Sequence, residues 1–239
     1  MHKNRIGLLA LASLLLQILL PFAARPAQAQ AEKSAYPSMA PQTQYLIPDK
    51  DSEIALARSA APPSISNAAE VQVLGPAGYA IAAAGTNGFV CLVERSFAAA
   101  TDFPEFWNSK IRSPICVNAP AARTYLPGVL LKAKLAFAGK SKTEIAQAIK
   151  AGLESKELPP LEPAAMCYMM SKQQYLADDD PHWHPHMMFF VSGDAASSWG
   201  ANLPSSPVIA ANDPEDRMTI FLIWVGKWSD GTPAPHDMH

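Results

Sequence analysis

The chain has 239 residues, of which 49% are hydrophobic and 17% are charged. That length is enough for one sizeable domain or two small ones with an ordinary apolar core. Its 19 Lys and Arg side chains stand against 21 Asp and Glu without forming a basic cluster. This balance argues against a nucleic-acid partner, because such binding needs cations that neutralise phosphates.

The first 29 residues have the layout of a secretory signal peptide. Lys3 and Arg5 precede an apolar run over residues 6–20, and an alanine-rich stretch ends at Ala29. The alternative is an uncleaved anchor, because the run extended to Ala24 approaches the roughly 20 residues that span a bilayer. We expect cleavage after Ala29 and export to the periplasm or the exterior. The mature chain would lose three basic and no acidic residues, giving a net charge of −5 and no membrane segment.

Three cysteines follow this segment: Cys91, Cys116 and Cys167. In an oxidising compartment two of them are expected to pair. Cys167 lies among methionine and tyrosine side chains, where a small buried hydrophobe is the simpler interpretation. The sequence therefore predicts a disulfide between Cys91 and Cys116.

The N-terminal half begins with polar sequence and continues into short strands. Residues 30–48 are rich in Ala, Pro, Gln and Ser and predict a flexible leader, followed by a single domain over residues 49–239. A short helix is expected to start at Asp49 or Asp51. Alternating apolar positions over residues 70–95, with two glycine-rich turns between them, then predict a three-stranded antiparallel meander.

The rest of the chain predicts a helical middle and a C-terminal region of β strands with long loops, so the expected fold class is α+β. A short capped helix is expected over residues 102–107, and a longer one begins or breaks at Pro127. Ser141 and Glu144 form a capping-box pattern that opens another helix. The predicted C-terminal strands are four short apolar runs, at residues 166–170, 187–191, 208–210 and 218–225. Glu94 and Arg95, at the end of the third strand, are interpreted as a surface pair.

A cluster of histidines just before the second of these runs carries the most specific chemistry. His182, His184 and His186 would share one face of an extended segment, and imidazoles about 7 Å apart can converge on one ion. A carboxylate, Asp178 or Asp180, is a better further ligand than a third histidine on the same line. We take His182, His184, His186 and Asp180 as a candidate site for zinc or another divalent transition metal.

The same cluster has a simpler explanation, in which the imidazoles at a solvated strand entrance bond to nearby backbone or aspartates. His236 and His239, at the end of the chain, can fold back to complete a site or belong to a frayed terminus. A metal that activates water for hydrolysis is a third, weaker hypothesis. The sequence contains no Gly-x-Ser-x-Gly, Walker, His-Glu-x-x-His or Gly-x-Gly-x-x-Gly pattern.

A metal-free alternative uses the tryptophans of the final third. Trp183, Trp199, Trp224 and Trp228 lie close to long polar loops, and aromatic side chains that line a groove suit a ligand-binding or protein-interaction module. The partner would then be an unidentified small molecule or protein.

Three segments together carry a resemblance: Gly85-Thr86-Asn87-Gly88-Phe89 with Cys91-Leu92-Val93, Trp183-His184-Pro185-His186 with Met188-Phe189-Phe190, and Lys227-Trp228-Ser229-Asp230-Gly231. Over residues 59–232 the chain resembles a group of exported bacterial proteins of unknown function. The resemblance implies bacterial export and a single domain. It assigns no activity, so it gives no role to any residue.

Overall fold

The computed structural model describes residues 35–180 and 183–234. The predicted signal peptide, the first part of the predicted leader, His182, His236 and His239 lie outside the described residues. The helices are α1 (Lys50–Arg58), α2 (Pro63–Ser66), α3 (Ala119–Thr124), α4 (Leu126–Phe137) and α5 (Lys142–Ser155). None of these helices is long and apolar enough to cross a membrane.

Eight strands form one mixed sheet, so the fold is α+β. They are β1 (Glu70–Gly75), β2 (Gly78–Ala83), β3 (Val90–Glu94), β4 (Ser113–Val117), β5 (Met166–Met169), β6 (His186–Ser192), β7 (Val208–Asp213) and β8 (Met218–Trp224). Their order in the sheet is β2-β1-β3-β4-β5-β6-β8-β7. The pairing is antiparallel throughout except between β1 and β3, which run parallel.

Helices pack on both faces of this sheet. Helix α1 lies over β1, β3 and β4, where Ala57 packs into one apolar cluster with Val71 and Val93. Helices α3 and α4 cover the opposite face, where Leu126 packs with Leu92 and other residues. The alternation of side chains along β3 thus divides neighbouring residues between two cores.

The predicted meander is wrong in its topology, although its three strands all form. β1 and β2 make the expected hairpin, but β3 then pairs with the other edge of β1 in the parallel direction. The chain crosses the start of β1 at Gly85, where a Cβ atom would lie 2.0 Å from the Glu70 amide nitrogen. Thr86 donates a backbone hydrogen bond to Ala68 there, at 2.8 Å. Gly85 therefore permits a close crossing rather than a second hairpin turn.

The helix and strand starts follow the sequence signals in most places. Asp49 caps α1 by accepting from the Ser52 amide, and both hydrogen bonds of the predicted capping box open α5. Helix α4 begins at Leu126 with Pro127 in its first turn. The four C-terminal runs form β5 to β8. Residues 101–107, in contrast, form turns instead of the predicted short helix.

The expected flexible leader packs against the domain from Tyr36 onward. Tyr45 is fully buried, and its hydroxyl donates to the Trp107 carbonyl at 2.8 Å. The Arg95 side chain donates to the Tyr45 carbonyl at 2.6 Å, and the Tyr36 hydroxyl donates to Asp178. The few aromatic side chains of this polar segment thus find partners that its composition did not indicate.

The predicted disulfide is present. Cys91 and Cys116 lie opposite each other on β3 and β4, with their Cα atoms 4.0 Å apart. Cys167 is a free, buried thiol on β5.

Candidate ligand-binding cleft

A cleft of about 850 Å³ opens on the same face of the sheet as α3 and α4. Its floor is apolar and includes Met169 of β5, Met188 of β6, and Ile220 and Leu222 of β8. The loops at residues 98–104 and 176–180 form its rim. Small-molecule sites typically have volumes of about 300 to 1,000 Å³ and mostly apolar walls, so this cleft has the size and surface of such a site.

Glu94 is the principal ionisable group in the wall of the cleft. It is the last residue of β3 and shares a face with Leu92, because residues two apart in a strand point the same way. Only 6% of it is exposed, and Tyr125 donates its hydroxyl hydrogen to Oε1 at 3.0 Å. Burial raises the pKa of Glu94 to about 7, against the opposing effects of Tyr125 and the Lys132 charge.

The interpretation of Glu94 and Arg95 as a surface pair is wrong, because both are buried. The Arg95 guanidinium forms an ion pair with Glu53 of α1 at 2.9 Å and donates to the carbonyls of Tyr45 and Val93. Its donors are therefore engaged with α1, the leader and β3, and Glu94 makes no ion pair within the described residues. Side chains two residues apart in a strand point to the same face, so the apolar Leu92 is the sequence signal that would have predicted a buried Glu94.

Further carboxyl groups line the cleft: Asp102, Asp179, Asp180 and Asp213. Asp213, at the end of β7, is buried, and burial together with the nearby Asp216 charge raises its pKa. A smaller cavity of about 410 Å³ adjoins this end of the cleft. Its wall contains the ion pair between Lys132 and Asp216, at 2.6 Å.

His186, the first residue of β6, lines the cleft in its neutral form. Its Nδ1 atom lies 2.8 Å from the His184 carbonyl, and since a carbonyl can only accept, Nδ1 carries the proton. Burial lowers the pKa of His186 to about 4, which leaves Nε2 as a hydrogen-bond acceptor at neutral pH. The ring packs edge-on against Trp183 and Trp224, with centroid distances of 5.1 and 5.7 Å.

The other members of the predicted metal site are placed differently. The His184 ring packs against Trp224 at 5.6 Å, and its buried Nδ1 atom has no hydrogen-bond partner in the part of the chain that the structure describes. Asp180 is exposed at the rim of the cleft, while His182 lies outside the described residues. Within residues 35–180 and 183–234, no three His, Cys, Asp or Glu side chains are arranged to hold one ion. The structure thus brings Asp180 and His186 to one cleft without placing a three-ligand group there.

One of the four tryptophans singled out by the sequence, Trp183, lines the cleft. Trp199 stacks on Phe221 at 4.2 Å. Phe221 alternates with Ile220 and Leu222 of the cleft floor, so this pair lies on the opposite face of the sheet. Residues 178–191, the region that the sequence analysis singled out, thus supply part of the cleft lining, and other elements supply the rest.

Comparisons of the chain with protein-family models, with curated proteins and with solved structures gave no match.

Proposed function

We propose that this protein is exported and binds a small amphipathic molecule in the cleft. The observation that carries the proposal is a wide apolar cleft with a few buried polar groups in its wall, above all Glu94. Export is supported by the signal-peptide pattern of residues 1–29 and by the Cys91–Cys116 disulfide, because disulfides persist in oxidising compartments.

The distribution of polar and apolar groups favours a ligand with an apolar body and one polar end. The methionine and aliphatic floor contributes contact area, while few polar groups interrupt it. Ser96 also belongs to the lining, and its buried hydroxyl has no hydrogen-bond partner among the described residues. Glu94, which is buried in the same lining, is the polar group that the polar end of such a ligand would meet.

The proposal is tested with Nile red, a neutral dye whose fluorescence rises in apolar surroundings. Ala211 is exposed on β7 and lines the cleft, so the Ala211→Trp substitution should narrow it without disturbing the core. Ala80, exposed on the opposite edge strand β2, is the matched control. We expect saturable dye binding by the native protein and by Ala80→Trp, and an affinity at least about tenfold lower for Ala211→Trp. Binding that Ala211→Trp leaves unchanged, or no binding by the native protein, would contradict the proposal.

A divalent-metal site that includes His182 is a second candidate. The observation that favours it is the buried Nδ1 atom of His184, which has no hydrogen-bond partner among the described residues. The residues that would hold the ion are His182, His184 and Asp180, with His186 available through Nε2. Elemental analysis of the purified protein and of a His182→Ala, His184→Ala variant provides the test. Stoichiometric zinc or copper that the variant lacks supports the site, whereas metal-free native protein excludes it.

A further inference from the structure

We infer that the cleft selects organic cations, so that its ligand is an amine or ammonium compound with an apolar or aromatic body. This inference rests on the proposed binding function and specifies the chemical class of the ligand. Three observations support it: the cleft lining carries mostly negative charge, the cations near the cleft are paired with carboxylates, and the buried polar groups of the wall accept hydrogen bonds.

The cleft lining is strongly biased toward negative charge. Five acidic residues line it: Glu94, Asp102, Asp179, Asp180 and Asp213. Arg95 is the sole Lys or Arg in the described lining, and its guanidinium is already paired with Glu53. A cleft with low-dielectric walls concentrates the field of such charges and attracts counter-ions of the opposite sign.

The cations near the cleft are also engaged with carboxylates. Lys132 lies 2.6 Å from Asp216 and 3.5 Å from Glu215, so one ammonium group serves more than one carboxylate. Lys110 lies 2.8 Å from Asp178 at the other end of the rim. Neither lysine forms an ion pair with Glu94. An ionised Glu94 therefore has no ion-pair partner among the described residues, and a positively charged ligand would supply one.

The buried polar atoms of the wall favour a ligand that donates hydrogen bonds. The Glu94 carboxylate is a hydrogen-bond acceptor that receives one donor among the described residues, the Tyr125 hydroxyl. An ammonium group is a donor at each of its N–H bonds, whereas a ligand carboxylate would face this acceptor with further lone pairs. The hydroxyl of Ser96, another residue of this lining, is buried and has no hydrogen-bond partner among the described residues.

Aromatic side chains in the cleft lining also favour a cationic ligand. Trp183, Tyr125 and Phe103 line the cleft. The faces of aromatic rings attract ammonium and guanidinium groups, and indole does so most strongly. The apolar floor formed by Met169, Met188 and neighbouring side chains would hold the remainder of the ligand.

The test is displacement of Nile red from the native protein by three compounds with the same body: naphthylethylamine, naphthylethanol and naphthylacetic acid. The measurement is made near pH 8, roughly one pH unit above the point at which half of Glu94 is ionised. We expect the amine to displace the dye at a concentration at least about tenfold lower than the alcohol, and the acid to be the weakest. Equal displacement by all three, or preference for the acid, would overturn the inference while the binding function stands. If Nile red itself does not bind, the binding function fails and the inference fails with it.

Two variants show whether Glu94 carries the selectivity. Glu94→Gln removes the charge but keeps the size and the acceptor for Tyr125, so we expect about tenfold weaker displacement by the amine and no change for the alcohol. Glu157→Gln, a substitution of an exposed glutamate outside the cleft lining, is the matched control and should leave both unchanged. An equal loss for amine and alcohol in Glu94→Gln would indicate altered packing and would overturn the assignment of Glu94 as the cation-binding group.

Discussion

The stability of the protein should depend on pH through Glu94, and Glu94→Gln isolates that dependence. The pKa of Glu94 is raised from 4.5 to about 7, chiefly by burial. The folded protein therefore binds this proton more tightly than the unfolded chain does. Below about pH 4.5, Glu94 does not reduce the free energy of unfolding. As the pH rises from about 4.5 to about 7, the contribution of Glu94 lowers this free energy, and above about pH 7 the reduction is complete.

The size of the effect follows from the difference between the two pKa values. At about 1.4 kcal/mol for each tenfold change in proton affinity, an ionised Glu94 costs the folded state about 3 kcal/mol. Glutamine has nearly the same shape, keeps an acceptor for the Tyr125 hydroxyl and never ionises. Glu94→Gln should therefore match the native protein near pH 4 and exceed its unfolding free energy by up to about 3 kcal/mol near pH 8.

Urea unfolding across this pH range measures the difference directly. Other groups near Glu94, including Lys132, Tyr79 and Cys167, have pKa values raised above ordinary values that are themselves 9.0 or higher, so they do not titrate between pH 4 and pH 8. Glu157→Gln, at an exposed position, should follow the native curve at every pH. If the unfolding free energies of Glu94→Gln and the native protein change in parallel with pH, the account of Glu94 as a buried carboxyl is refuted.

Three further predictions concern the groups around the cleft. Replacing Cys91 and Cys116 together by serine should lower the unfolding free energy by about 3.5 kcal/mol, the loop-entropy value for a separation of 25 residues, and reduced native protein should lose as much. Glu53→Ala leaves the buried Arg95 charge unpaired and should cost about 3 to 5 kcal/mol in urea unfolding, whereas a loss below about 1 kcal/mol would show that the pair is solvated. Tyr125→Phe removes a hydrogen bond that lowers the pKa of the cleft carboxyl, so that pKa should rise and the pH-dependent loss of stability should move to higher pH; an unchanged or lower midpoint would contradict the contact.

Local signals in the sequence predicted the elements of the fold better than their connections. The cap of α1 at Asp49 and the capping box of α5 depend on residues three apart, and both are confirmed. The disulfide is confirmed as well. The path after β2 depends on Gly85 passing close to the Glu70 backbone, a contact between distant residues that looks in the sequence like an ordinary turn. The meander prediction therefore failed although the strands were right.

The residues singled out in the sequence cover only part of the cleft lining, for a related reason. Asp180 and His186 were singled out because chemically active residues are close together in the sequence there, and both line the cleft. Glu94 lies far away in the chain and reaches the same cleft because β3 and β6 belong to one sheet and both present residues on the face that carries the cleft. A buried carboxyl becomes informative only when its surroundings are known, since burial rather than residue type raises its pKa.

The most direct measurement of the central claim is a crystal structure of the protein with naphthylethylamine. We predict that the naphthalene ring lies on the apolar floor beside Met188, with the ammonium nitrogen within hydrogen-bond distance of the Glu94 carboxylate. A compound bound elsewhere, or bound in the cleft with its ammonium group turned toward solvent, would contradict the account.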